Sequence, residues 1–463
     1  MKLHPPKIQI DAEQPFKEAF YDRHEFAASL TALLRNVTDN LVVFVNAPWG
    51  EGKTTFAKMW EASLRHEKLD VIYFDAYAAD YFEDPFLSFS GEILELAKKR
   101  FPNTTGVVER REFKKTAVEV GKRLGGLAFK IGVRAATMGA VEAAHLLELK
   151  DIVSDVSTGI SEIGADVIEK KIENHAAEKD ALAAFKGSLA KLAKIVRSEQ
   201  DFPLTILVDE LDRCRPDFAL GLLERIKHLF DVEGVAFVLF VNRDQIETYI
   251  RSVYGADVDA AAYLLKFGNV FVDLPNEEPV FRSARGRSAY CDQLARHFEL
   301  GARNDGDYIL RSIDNLVTHF ALTLREIERA FGSMSLYYGS LPDEQFTQSF
   351  LVPLLAVLKV KRPLMYRRLR SRKITITEFF HETEIDKLET SGHRNINVGW
   401  ITDTLKFCLM SDAEFDAATK DGEGERDRHG LGGMGQMLFK YNIGRESVIP
   451  FLAERLDRFS FKP

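Results

Sequence analysis

The stretch Leu41–Thr55, LVVFVNAPWGEGKTT, limits the fold more than any other part of the chain. Leu41–Val45 is a continuous apolar run rich in β-branched residues, the pattern of a strand buried on both faces. From Lys53 the pattern turns helical, and the loop between carries Gly50 and Gly52. A buried strand, a glycine loop, a lysine followed by a hydroxyl residue, and a helix form an arrangement that cradles phosphate. The glycines let successive N–H groups converge on one anion, and the helix adds its positive end. Ala47, Pro48, Trp49, Gly50, Glu51, Gly52, Lys53, Thr54 and Thr55 are therefore the candidate nucleotide-binding residues. Lys53 would reach the outer phosphates, and the Thr54 hydroxyl would ligate Mg²⁺. Ala47 stands where such a loop is expected to begin with glycine, which a methyl group allows as long as φ stays negative.

A phosphate loop needs acidic partners on another strand. LTILVDELDRCRP supplies them: the apolar run from Leu204 ends at Asp209 and Glu210. Asp209 is expected to hold the metal's water shell and Glu210 to polarise the attacking water. Asp212 rivals Glu210 for the second role. A third apolar run, Val235–Val241, ends in Asn242-Arg243-Asp244. In an open α/β sheet ligands collect at the carboxyl ends of strands. Asn242 either touches the γ-phosphate or the water, or caps the helix that follows.

These residues carry a resemblance. NAPWGEGKTT resembles the tryptophan-containing phosphate loop of the KAP family of P-loop NTPases, and ILVDELDRC resembles its acid-rich Walker B strand. FVNRDQIETYIRSVYG, Tyr263–Phe267 and Val272–Pro275 follow in the same order as in that family. Asp22-Arg23, Phe74–Tyr77 and Thr323–Ile327 fit as well. The resemblance covers roughly residues 15 to 335. It implies ATP and Mg²⁺ as ligands, ATP hydrolysis, and kinship with AAA+ and STAND ATPases. In those relatives a helical subdomain presents an arginine to the γ-phosphate, a role that falls to Arg325, with Arg329 behind it. The alternative is that both are surface arginines beside Glu326 and Glu328. Lys266 and Arg243 are candidates for a charge given to a neighbouring subunit's nucleotide. Many members are prokaryotic, and some are linked to defence against phage or mobile DNA.

The family carries a large insertion between the two motifs, and about 155 residues separate Lys53 from Asp209 here. In many relatives it holds transmembrane helices. The candidate span, Leu124–Leu147, contains Lys130, Arg134, Glu142 and His145, and its longest uncharged run, Ala135–Val141, is far short of the ~20 residues a span needs. No membrane span is expected. Gly132, Ala136 and Ala140 lie four apart and form either a helix-packing seam or a close-approach strip for another helix.

Bulk properties set the frame. A chain of 463 residues is expected to form two or three domains. The net charge of −8 argues against a protein that coats nucleic acid. Cys214, Cys291 and Cys408 show no ligand spacing, the pattern of a reducing cytoplasm. MKLHPPKIQIDAEQPF has no apolar core and does not read as a signal peptide. Lys359–Lys373, KVKRPLMYRRLRSRK, holds eight basic residues and no acid. It is either a solvated helix face over a core of Leu358, Val360, Leu364, Met365 and Leu369, or a nucleic-acid grip through Lys359, Arg362, Arg367, Arg368 and Arg370. Asp421–Gly435 reads as a mobile surface loop.

The expected architecture is α/β. A three-layer P-loop core with a parallel sheet (1–104 and 198–285) is interrupted by a helical insertion (105–197) and followed by a helical C-terminal region (286–463). Expected partners are ATP and either further copies of the chain or other proteins of one assembly. Three functions fit: an ATP-hydrolysing switch or motor, a nucleotide-gated scaffold with little turnover, and an ATP-dependent nucleic-acid-handling protein.

Overall fold

The computed structural model describes residues 4–6, 8–37, 40–81, 85–100, 107–124, 165–229, 231–276, 286–300, 305–341, 348–387, 399–414 and 443–458. The Leu124–Leu147 stretch, apart from Leu124, and the Asp421–Gly435 loop lie outside the described residues.

Five strands make one parallel sheet: β1 Leu41–Asn46, β2 Val71–Asp75, β3 Leu204–Asp209, β4 Val235–Val241 and β5 Val270–Asp273, in the order β2-β3-β4-β1-β5. The three central strands are the three apolar runs of the sequence, and almost every residue in them is buried. Alternation along β1 splits its side chains between two cores. Leu41, Val43 and Val45 join one cluster, whereas Val42 and Phe44 join the other. Period two in a strand buried on both faces requires this, and it makes the core three layers deep.

Helices cover both faces. In chain order they are α1 Arg23–Asn36, α2 Lys53–His66, α3 Ala76–Ala79, α4 Pro85–Arg100, α5 Val107–Leu124, α6 Ala165–Gln200, α7 Pro216–Ile226, α8 Arg243–Tyr254 and α9 Ala260–Leu264. The α1 and α2 helices pack on the Leu41/Val43/Val45 side through Ala27, Leu30, Phe56 and Trp60. On the opposite side α4 to α7 supply Phe89, Phe113, Phe185 and Leu222. The insertion is tied to this core by α5 lying along α6. Phe113 and Phe185 pack with centroids 4.9 Å apart, and the Thr116 and Ser188 hydroxyls meet at 2.7 Å. Among the described residues no helix is long and apolar enough to cross a membrane.

Beyond the sheet come α10 Arg287–His297, α11 Gly306–His319, α12 Leu324–Gly339, α13 Leu351–Lys361, α14 Pro363–Arg370, α15 Ile376–Thr383, α16 Gly399–Leu409 and α17 Val448–Asp457. They share a separate core, to which the N-terminal segment contributes Phe20 and Tyr21. Leu351–Leu358 are buried without exception, so α13 is the central helix. The basic run starts within α13 and continues in α14. Leu358, Met365 and Leu369 are buried as expected, but Leu364 is 70% exposed. Pro363 at N1 starts a new helix there and resets the phase of the apolar face.

Candidate functional site

The β1 strand delivers Asn46 to the sheet's carboxyl edge, where the residue braces three neighbours. Its side-chain nitrogen donates to Asp273 Oδ1 (2.7 Å), its Oδ1 accepts from the Arg243 amide (2.9 Å), and its carbonyl accepts from the Leu274 amide (2.8 Å). Ala47 follows with an ordinary negative φ, so its methyl group costs nothing. Gly50 and Gly52 have φ of +91° and +79°, the left-handed region that glycine enters freely. The first helical hydrogen bond of α2 runs from the Phe56 amide to the Gly52 carbonyl (2.9 Å). The amides of Lys53, Thr54 and Thr55 precede it and are left for an anion. The loop thus has the curl and the donors that a polyphosphate needs.

Lys53 is buried at the start of α2. Its Nζ lies 2.6 Å from Ala47 O, 3.3 Å from Pro48 O and 3.4 Å from Asp212 Oδ2. Burial lowers its pKa, and Asp212 opposes that shift. The same Asp212 oxygen accepts from Trp49 Nε1 at 2.6 Å and from the Asn242 amide at 3.0 Å. Asn242 is the N-cap residue of α8, but its side chain makes no capping bond.

The acids at the end of β3 sit beside Thr54. Asp209 is 1% exposed; its Oδ2 accepts from the Tyr73 hydroxyl (2.8 Å) and its Oδ1 from the Glu210 amide (2.8 Å). Burial pushes its pKa up to about 6, with the Tyr73 hydrogen bond acting in the opposite direction. Glu210 has φ +62°, a left-handed conformation that costs a non-glycine residue about 1 kcal/mol or more. That turn brings Glu210 Oε1 to 2.5 Å from Thr54 Oγ1, while Oε2 pairs with Arg213 Nε at 2.5 Å. Thr54, Asp209 and Glu210 therefore converge where a hard cation bridging to phosphate would sit. Thr54 and Asp209 offer the oxygen donors that a hard cation such as Mg²⁺ would take, with Glu210 beside them. Among the described residues no cluster of three or more His, Cys, Asp or Glu side chains is arranged to hold a metal.

The helical region closes on the loop from outside. The Arg325 amide donates to Gly50 O (3.2 Å), and a Cβ on Gly50 would lie 2.9 Å from Arg325 Cβ and 3.0 Å from Thr323 Oγ1. Thr323 and Glu326 form a capping box that fixes this first turn of α12. The Arg325 and Arg329 side chains are exposed. Arg23, at the start of α1, is buried beneath the loop. Its guanidinium donates to Glu51 O (2.5 Å) and Pro275 O (3.4 Å), and burial lowers its pKa to about 10. Glu51 is itself buried, with a pKa raised by desolvation and opposed by Arg287 and Arg23.

The phosphate loop, Lys53, Asp209, Glu210, Asp212 and the Asn242 amide come together, as does the Arg325 backbone. Arg243 instead pairs with Glu247 (2.8 Å), and Lys266 lies over the Tyr263 ring (4.9 Å). Tyr73, Arg23, Thr323 and Arg213 escaped the sequence reading as site residues. Arg23 carries a signal in the Asp22-Arg23 pair, but Tyr73 carries none, because only the pairing of β2 with β3 brings it to Asp209. The basic run is largely paired. Lys359 and Arg370 meet Asp457 (3.0 and 2.5 Å), Arg368 meets Glu382 (2.6 Å), Arg362 donates to Glu382 O (3.4 Å), and Arg367 donates to Pro363 O (3.3 Å).

A glycine loop between a buried parallel strand and a helix, facing paired acids two strands away, is the core of a P-loop NTPase. The chain belongs to the KAP family, whose P-loop domain profile, "KAP family P-loop domain", matches residues 23–340. No curated protein matches the chain. Among solved structures it is similar to the Aeropyrum pernix ORC2 protein in ADPNP-ADP complexes (13% identity, 98% of this chain and 96% of that one, TM-score 0.30). It is also similar to C. elegans PCH-2 (13%, 77% and 74%, 0.32) and to a DNA replication initiation factor (12%, 94% and 92%, 0.29).

Proposed function

We propose that the chain binds ATP with Mg²⁺, hydrolyses it, and passes the nucleotide state from the phosphate loop to the helical region. The observation that carries this reading is the double engagement of one loop. Its inner side gathers Lys53, Thr54, Asp209 and Glu210, and its outer side touches α12 through Gly50 and the Arg325 amide. A phosphate that reshapes the loop must also move or brace that contact.

The roles follow from position. The loop amides and Lys53 bind and orient the phosphates. Thr54 and Asp209 would hold Mg²⁺, which supplies charge neutralisation at the phosphate oxygens when bound. Glu210, beside Thr54, takes the proton of the attacking water, and the Arg213 guanidinium lies against its other oxygen. Arg325, anchored by its backbone on Gly50, has a side chain free to approach the γ-phosphate. ATP over other nucleotides rests on the family, as do a setting in prokaryotic defence, a cytoplasmic location and an oligomeric or multi-protein assembly. The scaffold reading needs the same site without turnover. A nucleic-acid grip gains no support from Lys359–Lys373, since most of its cations lie against acids or carbonyls of the same chain.

Phosphate release from Mg·ATP tests the reading. Wild-type protein is expected to turn over, and Glu210→Gln to bind ATP while losing at least a hundredfold in rate, roughly the scale of a lost general base. Turnover by Glu210→Gln at the wild-type rate overturns the assignment. Binding without release by wild-type protein favours the scaffold.

A further inference from the structure

The acidic motif holds a third carboxylate, Asp212, whose surroundings differ from those of the other two. It sits on a short 3₁₀ turn, Leu211–Arg213, and is 1% exposed. One of its oxygens, Oδ2, faces three donors from three different elements: Trp49 Nε1 of the phosphate loop, the Asn242 amide at the end of β4, and Lys53 Nζ at the start of α2. Its carbonyl accepts from the Tyr249 hydroxyl of α8 at 2.8 Å, which fixes the turn from behind. A group that activates water needs access to water and a lone pair to receive a proton. Asp212 is less open than Glu210, 1% against 8% exposed, and its Oδ2 faces three donors.

Lys53 carries the opposite charge of this pair. An ammonium has three protons to donate. Three protein acceptors stand around it, at Ala47 O, Pro48 O and Asp212 Oδ2. Contact with a phosphate therefore requires Lys53 to give up at least one of them. The Asp212 contact is the longest of the three and the only one to a carboxylate. It is also the one that a bound polyphosphate opposes, because two anions would then share one side of the loop.

We infer that Asp212 is a positioning residue that ties Lys53, Trp49 and Asn242 into one node, and that nucleotide binding draws Lys53 out of that node. This rests on the nucleotide-binding reading given above and adds a regulatory step to it. The tie sets a threshold for nucleotide: the lysine is held in line with the loop until a phosphate outcompetes the carboxylate. The node also makes the exchange visible. The Trp49 ring is 44% exposed while its N–H is bound to Asp212, so a change at that carboxylate alters the surroundings of the ring. Trp60, in the core with its N–H bound to Thr31, and Trp400 are kept when Trp49 is replaced.

The experiment combines two measurements on the full chain. Equilibrium dialysis with Mg·ATP gives affinity, and tryptophan emission during the same titration gives the state of the node. The Trp49→Phe variant isolates the Trp49 signal by difference. Asp212→Asn keeps an oxygen for Trp49 and Asn242 but removes the charge that holds Lys53. The inference expects an ATP-dependent emission change in wild-type protein that is lost in Trp49→Phe. It also expects Asp212→Asn to bind ATP about tenfold more tightly, equivalent to about 1.4 kcal/mol, with a matching fall in KM. Asp212→Asn that binds as wild type but fails to turn over, as Glu210→Gln should, makes Asp212 the water-activating group and overturns the inference. Asp212→Asn that folds but no longer binds ATP makes the residue a prop for the loop and also overturns it. If that variant does not fold, the emission arm decides alone: wild-type protein that binds ATP with no Trp49-dependent change removes the inference and leaves the functional reading intact. Failure of wild-type protein to bind ATP removes both.

Discussion

Asp209 shows how a single side chain records the purpose of its site. Its carboxyl is sealed at the end of β3 and its pKa is pushed up to about 6 from 3.8, because burial disfavours the charged form. For such a group the stability contribution is fully present below the unfolded value and is lost as pH rises through the folded value. Between about pH 4 and pH 6 the protein therefore gives up stability to ionise Asp209, on the order of 3 kcal/mol at most. In the proposed reading, a cation at Thr54 and Asp209 would offset that cost. Asp209→Asn does not titrate. The stability of this variant minus that of wild-type protein, from urea unfolding without nucleotide, should climb as pH rises from 4 to 7. A constant loss of one hydrogen bond would shift that difference but not bend it. A difference that is flat across this range would show that Asp209 is not held protonated by its burial.

At the scale of elements, the sheet explains why some parts were legible in the sequence and others not. The runs Leu41–Val45, Leu204–Asp209 and Val235–Val241 announced themselves because each central strand is buried on both faces. The edge strand β5 is only partly buried, and its VFVD carries a much weaker signal. The phosphate loop was legible because its chemistry is local: glycines, lysine and threonine lie within six residues. Tyr73 and Arg23 were not, since their roles depend on which strands pair and on where α1 enters the loop. Leu364 was misplaced on the core face because a proline restart shifts helical phase in a way that apolar spacing alone does not reveal. Gly268 belongs to the same class. It leads into β5, where a Cβ would lie 2.5 and 2.8 Å from ring carbons of Phe44, which itself stacks on Phe271 at 4.9 Å. The ring is fully buried between strands and has little room to give way. Gly268→Ala should cost about 1–3 kcal/mol of stability, as overpacked cores do, and thermal unfolding of the purified variant would show it. An unchanged midpoint would mean that the β5 edge yields more easily than its packing suggests.

For the whole molecule, the arrangement is a sheet core and a helical region that meet at one phosphate loop. The loop is reached from below by Arg23 and from above by Thr323 and Arg325, so its backbone is shared between two separately packed cores. Nucleotide bound there would be felt on both sides. The KAP family places this chain among P-loop NTPases. The central claim is that Lys53 and its loop hold the triphosphate of Mg·ATP. Isothermal titration of the chain with Mg·ATP, beside Lys53→Ala, tests it most directly. Wild-type protein should show saturable one-site binding, and a folded Lys53→Ala variant should lose at least tenfold in affinity, about 1.4 kcal/mol or more. Equal binding by the two proteins, or none by either, would contradict it.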